Sequence, residues 1–223
     1  MNWSYRLAWI FFRALFATYL RTRFLHADRV PASGPVILAS NHASFLDPPL
    51  IGAGFNRMVN YLARDTLFHV PIFASMLRSW KVVPVDRSGG GAGLKAILHR
   101  LLVGGIILLF PEGTRTADGR LQPARSGVGL TVIKSNAPVV PVRVFGTLRV
   151  YGRHLKFPRP GRLVVHYGHP LTFAALRAEA GSCSRDRLKL IYQEVADQIM
   201  AAIAELGPTD QDKPGHAGER RTG

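Results

Sequence analysis

The chain has 223 residues, a formal net charge of +15, 47% hydrophobic and 19% charged residues, and one cysteine. This length gives one domain with a sizeable core, and the apolar share excludes a disordered chain. Cys183, in a loop ahead of a helix, excludes an internal disulfide and fits a reducing compartment; no Cys/His spacing suits a metal site, and the basic excess points to an anionic partner, either nucleic acid, acidic lipid headgroups or phosphorylated small molecules.

Residues 1–25, MNWSYRLAWIFFRALFATYLRTRFL, carry Arg6, Arg13, Arg21 and Arg23 and no acidic residue. Arg13 interrupts the apolar run, leaving it short of the ~20 residues that span a bilayer, and no small-residue cleavage site follows, so neither a span nor a cleaved leader is expected. Trp3, Trp9, Phe11, Phe12, Phe16 and Tyr19 among the arginines predict a helix lying in the headgroup region of a membrane. The alternative is a helix packed on the domain's own core.

Beyond it, short aliphatic runs alternate with helical spacing. VILAS from Val36, VNYLA from Val59, KVVPVD from Lys81, IILLF from Ile106, VVPVRVF from Val139 and LVVHY from Leu163 predict strands; residues 94–103, 127–135 and 185–206 predict helices. Several strands are continuously apolar, as strands covered on both faces are. The expected architecture is an α/β single domain with a central, largely buried mixed sheet flanked by helices. The division is a membrane-associating segment at 1–29, the domain at 30–206 and a disordered tail at 207–223, which lacks apolar periodicity.

Two stretches carry chemistry. In NHASFLDPP, His42 and Asp47 stand five residues apart, a rotation of about 140° on a regular helix, so a turn must join them if they meet. Pro48 disfavours helical geometry at Asp47, which suits a turn ending there and a helix starting at the prolines. Alone, the pattern also fits Asp47 or Ser44 as a helix N-cap and His42 as a passive loop residue. The second stretch, FPEGTR, leaves the apolar strand IILLF and places Glu112, Gly113, Thr114 and Arg115 at a strand exit, where ligands bind in open α/β sheets. Gly113 admits close backbone approach, and Arg115 offers a fork of donors suited to phosphate.

Together these stretches resemble the glycerolipid (lysophospholipid) acyltransferase family. KVVPVDR, ending at Arg87, and APVVPVRVFG, from Ala137, follow in the family's order, and YLARDTLFHVPIF is similar to its stretch between the first two blocks, with Arg64 where a lysine is usual. The resemblance covers about residues 30–170. It implies transfer of a fatty acyl group from acyl-CoA or acyl carrier protein, as co-substrate and with no further cofactor, to the free hydroxyl of lysophosphatidate, giving phosphatidate. It also implies His42 as general base, Asp47 orienting it, and Glu112, Gly113, Thr114 and Arg115 holding the acceptor's glycerol-phosphate end, with Arg64 and Arg87 adding charge. No covalent intermediate is required, and no G-x-S-x-G nucleophile elbow occurs. The expected location is the cytoplasmic face of a membrane, peripheral or monotopic. After DGRLQP the family often continues with an aromatic and two lysines before a glycine; here ARSG, with Arg125 and Ser126, leaves acceptor or donor preference open. Another lysolipid, amino- or glycolipid in type, is the alternative acceptor.

Other readings are weaker. GAGLKA, at residues 91–96, matches a dinucleotide fingerprint, but Arg87 to Gly90 intervene between strand and motif. Nucleic acid is not the expected polyanion, because the basic residues are dispersed and no recognition motif is present. Residues 152–160, GRHLKFPRP, form a basic, aromatic, proline-punctuated loop: either a lipid contact or a solvated connection.

Overall fold

The structure, a computed structural model, describes residues 3–69, 71–85 and 91–207. In chain order its elements are α1 (Trp3–Thr18), β1 (Arg23–Leu25), β2 (Val36–Ser40), α2 (Asp47–Ala53), β3 (Val59–Asn60), β4 (Leu62–Arg64), α3 (Pro71–Ser79), β5 (Val83–Val85), α4 (Ala92–Leu102), β6 (Ile106–Leu109), α5 (Ser126–Lys134), β7 (Val139–Phe145), α6 (Thr147–Tyr151), β8 (Val164–Tyr167), α7 (Ala174–Ala180) and α8 (Arg185–Glu205). Six strands form one mixed sheet in the order β1-β8-β7-β2-β6-β3, parallel at every pairing except β7 with β8.

At its centre β2 is buried along its whole length. Alternate side chains serve two cores: Val36 and Leu38 join Phe16, Leu50 and Ile51 on one side, while Ile37 and Ala39 join Val132, Ile191 and Val195 on the other. The strand reads as an unbroken apolar run because helices cover both faces of the sheet. On the second face α8 is capped by Ser184, whose Oγ accepts from the Arg187 N–H at 3.2 Å, and it buries Ile191, Val195, Ile199 and Ile203, one helical turn apart. It lies so close to α5 that a Cβ added to Gly129 would stand 1.8 Å from the Tyr192 carbonyl oxygen.

Two expectations change. VNYLA is not one strand: the ladder changes partner at Tyr61, whose carbonyl accepts from Val83 N–H, so β3 pairs with β6 in the main sheet and β4 with β5 in a separate pair. An apolar run records burial and not which neighbour it meets. The main sheet also begins ahead of residue 30, because β1, inside the segment set apart as 1–29, pairs with β8. The N-terminal helix expected from the sequence is present as α1, with one face packed on the domain. Tyr5 and Phe16 are buried, Trp9 Nε1 donates to the carbonyls of Gly52 and Phe55 at 3.2 Å each, and Arg13 Nη1 donates to Ala53 O at 3.0 Å. Its other face leaves Trp3, Leu7, Ile10 and Phe11 exposed. Among the described residues no helix is long and apolar enough to cross a membrane. The tail, apart from Gly207, and Arg87 lie outside the described residues.

Candidate active site

The parallel neighbours β2 and β6 end side by side, and each runs into one of the two chemistry-bearing stretches. Past Ser40 the chain leaves the ladder. The Asn41 side chain replaces it, donating to Val144 O at 3.0 Å and accepting from Val144 N–H at 2.8 Å. The turn that follows folds back so that Asp47, first residue of α2 with Pro48 and Pro49 behind it, reaches the ring of His42.

His42 Nδ1 lies 2.8 Å from Asp47 Oδ2. The same oxygen accepts from the N–H groups of Ala43 and Ser44, each at 2.7 Å. Three contacts on one buried oxygen fix the position of the carboxylate. Neither Ser44 nor Asp47 caps α2, whose N-cap is Leu46 with no side-chain cap bond; the Ser44 hydroxyl instead donates to Tyr151 O at 2.6 Å and accepts from Leu46 N–H at 3.0 Å. The imidazole stacks on Phe110, centroids 3.8 Å apart, and keeps 17% of its side chain accessible. With Nδ1 held by Asp47, Nε2 is the nitrogen available to a substrate proton.

The FPEGTR turn is joined directly to this dyad. Glu112, 3% exposed, accepts from His42 N–H through Oε1 at 3.1 Å, and His42 O accepts from Thr116 N–H at 2.7 Å. Burial raises the Glu112 carboxyl above its ordinary range and the nearby Asp47 charge adds to this, while backbone N–H groups of His42 and Gln122 pull the other way. Glu112 therefore faces inward as a strut between the two motifs. Gly113 turns the chain with φ of +71°, and a Cβ there would stand 2.9 Å from Cδ and Nε of Arg125. Thr114 is exposed, and Arg115 lies over the Phe45 ring at 3.5 Å from its centroid.

Arg153 was not singled out from the sequence. It crosses from the 152–162 loop to donate through Nη2 to Thr114 Oγ1 at 3.0 Å and to Arg115 O. Nothing in its local sequence announces this; only the general basicity of GRHLKFPRP hinted at it. Arg64 ends β4, in the two-stranded sheet with β5, so the structure does not bring its backbone into the β2–β6 crevice ladder. Among the described residues no group of three or more His, Cys, Asp or Glu could hold a metal ion.

The acyltransferase family model matches residues 21–145. A chloroplastic 1-acyl-sn-glycerol-3-phosphate acyltransferase of Brassica napus is 30% identical over 59% of this chain, which spans only 39% of that protein's length. A 1-acyl-sn-glycerol-3-phosphate acyltransferase of Bacillus subtilis is 28% identical over 77% of this chain and 83% of its own. The crystal structure of the 1-acyl-sn-glycerophosphate acyltransferase PlsC from Thermotoga maritima has the same fold, with a TM-score of 0.68 at 22% identity over 91% of this chain and 81% of that one.

Proposed function

Because the chain belongs to the acyltransferase family, we propose that it transfers a fatty acyl group from a thioester, acyl-CoA or acyl carrier protein, to the free hydroxyl of lysophosphatidate, giving phosphatidate. The observation that carries this reading is the His42–Asp47 dyad bonded through the His42 peptide to a turn bearing Arg115. A histidine with a carboxylate partner and an arginine-bearing turn follow the adjacent ends of β2 and β6.

In this mechanism His42 Nε2 takes the acceptor's hydroxyl proton as its oxygen attacks the thioester carbonyl carbon. The tetrahedral centre collapses, the C–S bond breaks, and the imidazolium returns the proton to the departing sulfur. Asp47 holds the Nδ1–H tautomer and stabilises the cationic ring. The acceptor alcohol attacks directly, so no residue of the chain carries the acyl group. Arg115, spread over Phe45, offers its fork to the acceptor phosphate, with Thr114 beside it. The exposed Trp3, Leu7, Ile10 and Phe11 of α1 support seating on a membrane surface, where a lysolipid is found, and not on nucleic acid.

The test follows labelled acyl transfer from acyl-CoA to lysophosphatidate by the purified chain, with His42→Ala in parallel. Transfer that vanishes in the variant supports reaction and base together. A folded wild type inert with every lysolipid and with both thioester carriers overturns the reading.

A further inference from the structure

Between Asp118 and Glu179 the chain contains no acidic residue, while Arg153, His154, Lys156, Arg159 and Arg162 all fall in or at the edge of one loop, residues 152–162. At the tip of that loop Phe157 is 80% exposed. An aromatic side chain so placed gains nothing from the protein's own core. The loop is nevertheless held. Leu155 N–H bonds Gly152 O at 3.1 Å and Arg159 N–H bonds Val150 O at 2.9 Å. Tyr19, just past the end of α1, donates its hydroxyl to Pro158 O at 3.2 Å, and Arg153 bonds Thr114 and Arg115 O on the other side. A built loop, presenting one bare aromatic ring among cations and tied both to the helix with the exposed apolar face and to the turn expected to hold the acceptor phosphate, has a definite chemistry.

We propose that residues 152–162 form a second bilayer contact, in which Phe157 enters the acyl boundary of an anionic membrane while Lys156, Arg159 and Arg162 meet its lipid phosphates. This rests on the lipid-acceptor reading above and deepens it. The charge sign selects anionic lipid, the ring requires an apolar layer beneath the headgroups, and the combination matches interfacial anchoring, in which apolar insertion and electrostatic attraction add. Through Tyr19 the loop is registered against α1, and through Arg153 against the acceptor turn. A lysolipid leaving the leaflet would therefore meet Thr114 and Arg115 without crossing bulk water.

The experiment measures partition of the full chain onto vesicles of phosphatidylcholine with phosphatidylglycerol, and onto phosphatidylcholine alone. Phe157→Ser should lower partition on both by about tenfold, the scale of withdrawing one aromatic ring from an apolar layer. The paired change Lys156→Gln with Arg159→Gln should lower it on the anionic vesicles by about tenfold or more and leave the neutral ones nearly unchanged, with the difference erased by high salt. Lys156, Phe157 and Arg159 are exposed and make no side-chain bond among the described residues, so both variants fold, which circular dichroism checks. Wild-type partition by Phe157→Ser overturns the proposal, as does a loop that binds an acidic carrier protein while vesicle binding is unmoved. Vesicle binding is read without turnover, so failure of the acyl-transfer reading and failure of this contact are separately visible.

Discussion

Asp47→Asn is the sharpest probe of the dyad. The amide keeps the shape of the carboxylate, and its oxygen can still accept from Ala43 and Ser44, at the 2.7 Å now measured for each. What is lost is the charge facing His42 Nδ1 across 2.8 Å. A charge-assisted hydrogen bond contributes about 1.5–3 kcal/mol, equivalent to about 10- to 150-fold in rate. Full loss of a unit-charge attraction at ~4 Å, with an effective dielectric of ~20, sets a ceiling near 4 kcal/mol, roughly a thousandfold. The kcat/KM for labelled acyl transfer should fall within that range. Asp47 Oδ1 is buried and has no hydrogen-bond partner among the described residues, so an amide nitrogen there is unsatisfied and unfolding in urea should come earlier by about 1–3 kcal/mol. The assay is a double-variant cycle with His42→Ala, run on protein verified as folded. In that background Asp47→Asn should cost almost nothing further in rate, because the two residues act as one unit. A single variant within threefold of wild type, or losses that multiply in the double variant, would refute the dyad.

Three further changes test the parts around it. Arg115→Ala should raise KM for a phosphate-bearing acceptor by about 10- to 100-fold while moving kcat little, as expected for loss of a charged bond to phosphate; a KM equal to that of wild type counts against the phosphate assignment. Glu112 is protonated more readily in the folded chain than in the unfolded one, so the native state binds more protons across that window. Stability should decline as pH rises from the ordinary glutamate range through the raised folded value, and Glu112→Gln, which can still accept from His42 N–H, should flatten that decline in urea melts taken between acid and neutral pH. Gly129→Ala places a methyl group where the Tyr192 carbonyl stands 1.8 Å away; prising α5 from α8 should cost about 3 kcal/mol or more, visible as a Tm lowered by about 6–12 °C. A Tm within 2 °C of wild type would mean that the helices re-pack freely.

The dyad was readable from sequence because its geometry is local: a proline pair fixes where α2 begins, and Asp47 is left within one turn of His42. The longer strands and helices were readable for a similar reason, since their apolar runs or stripes directly encode burial. Contacts across the chain were not. Glu112 reaches His42 over a separation of 70 residues, and nothing in FPEGTR distinguishes a carboxylate turned toward solvent from one turned inward. Arg153 lies in a segment whose basicity is legible but whose partner is not. The three-residue β1 and the short α6 and α7 fall below the length at which periodicity exists. Sheet order is likewise silent in the pattern: β2 belongs between β7 and β6 because of chain connectivity and packing, and an apolar strand fits many neighbours equally well.

Asn41 has a consequence for how such a chain can diverge. Its amide occupies the rungs that a sixth residue of β2 would have offered to Val144, so the main chain of His42 is released from that ladder and is instead riveted, through its own N–H and C=O, to Glu112 and Thr116. The two signature segments consequently behave as one rigid fitting, whatever the intervening 54–105 region does. The backbone bonds that join His42 to the FPEGTR turn involve no residue of that region.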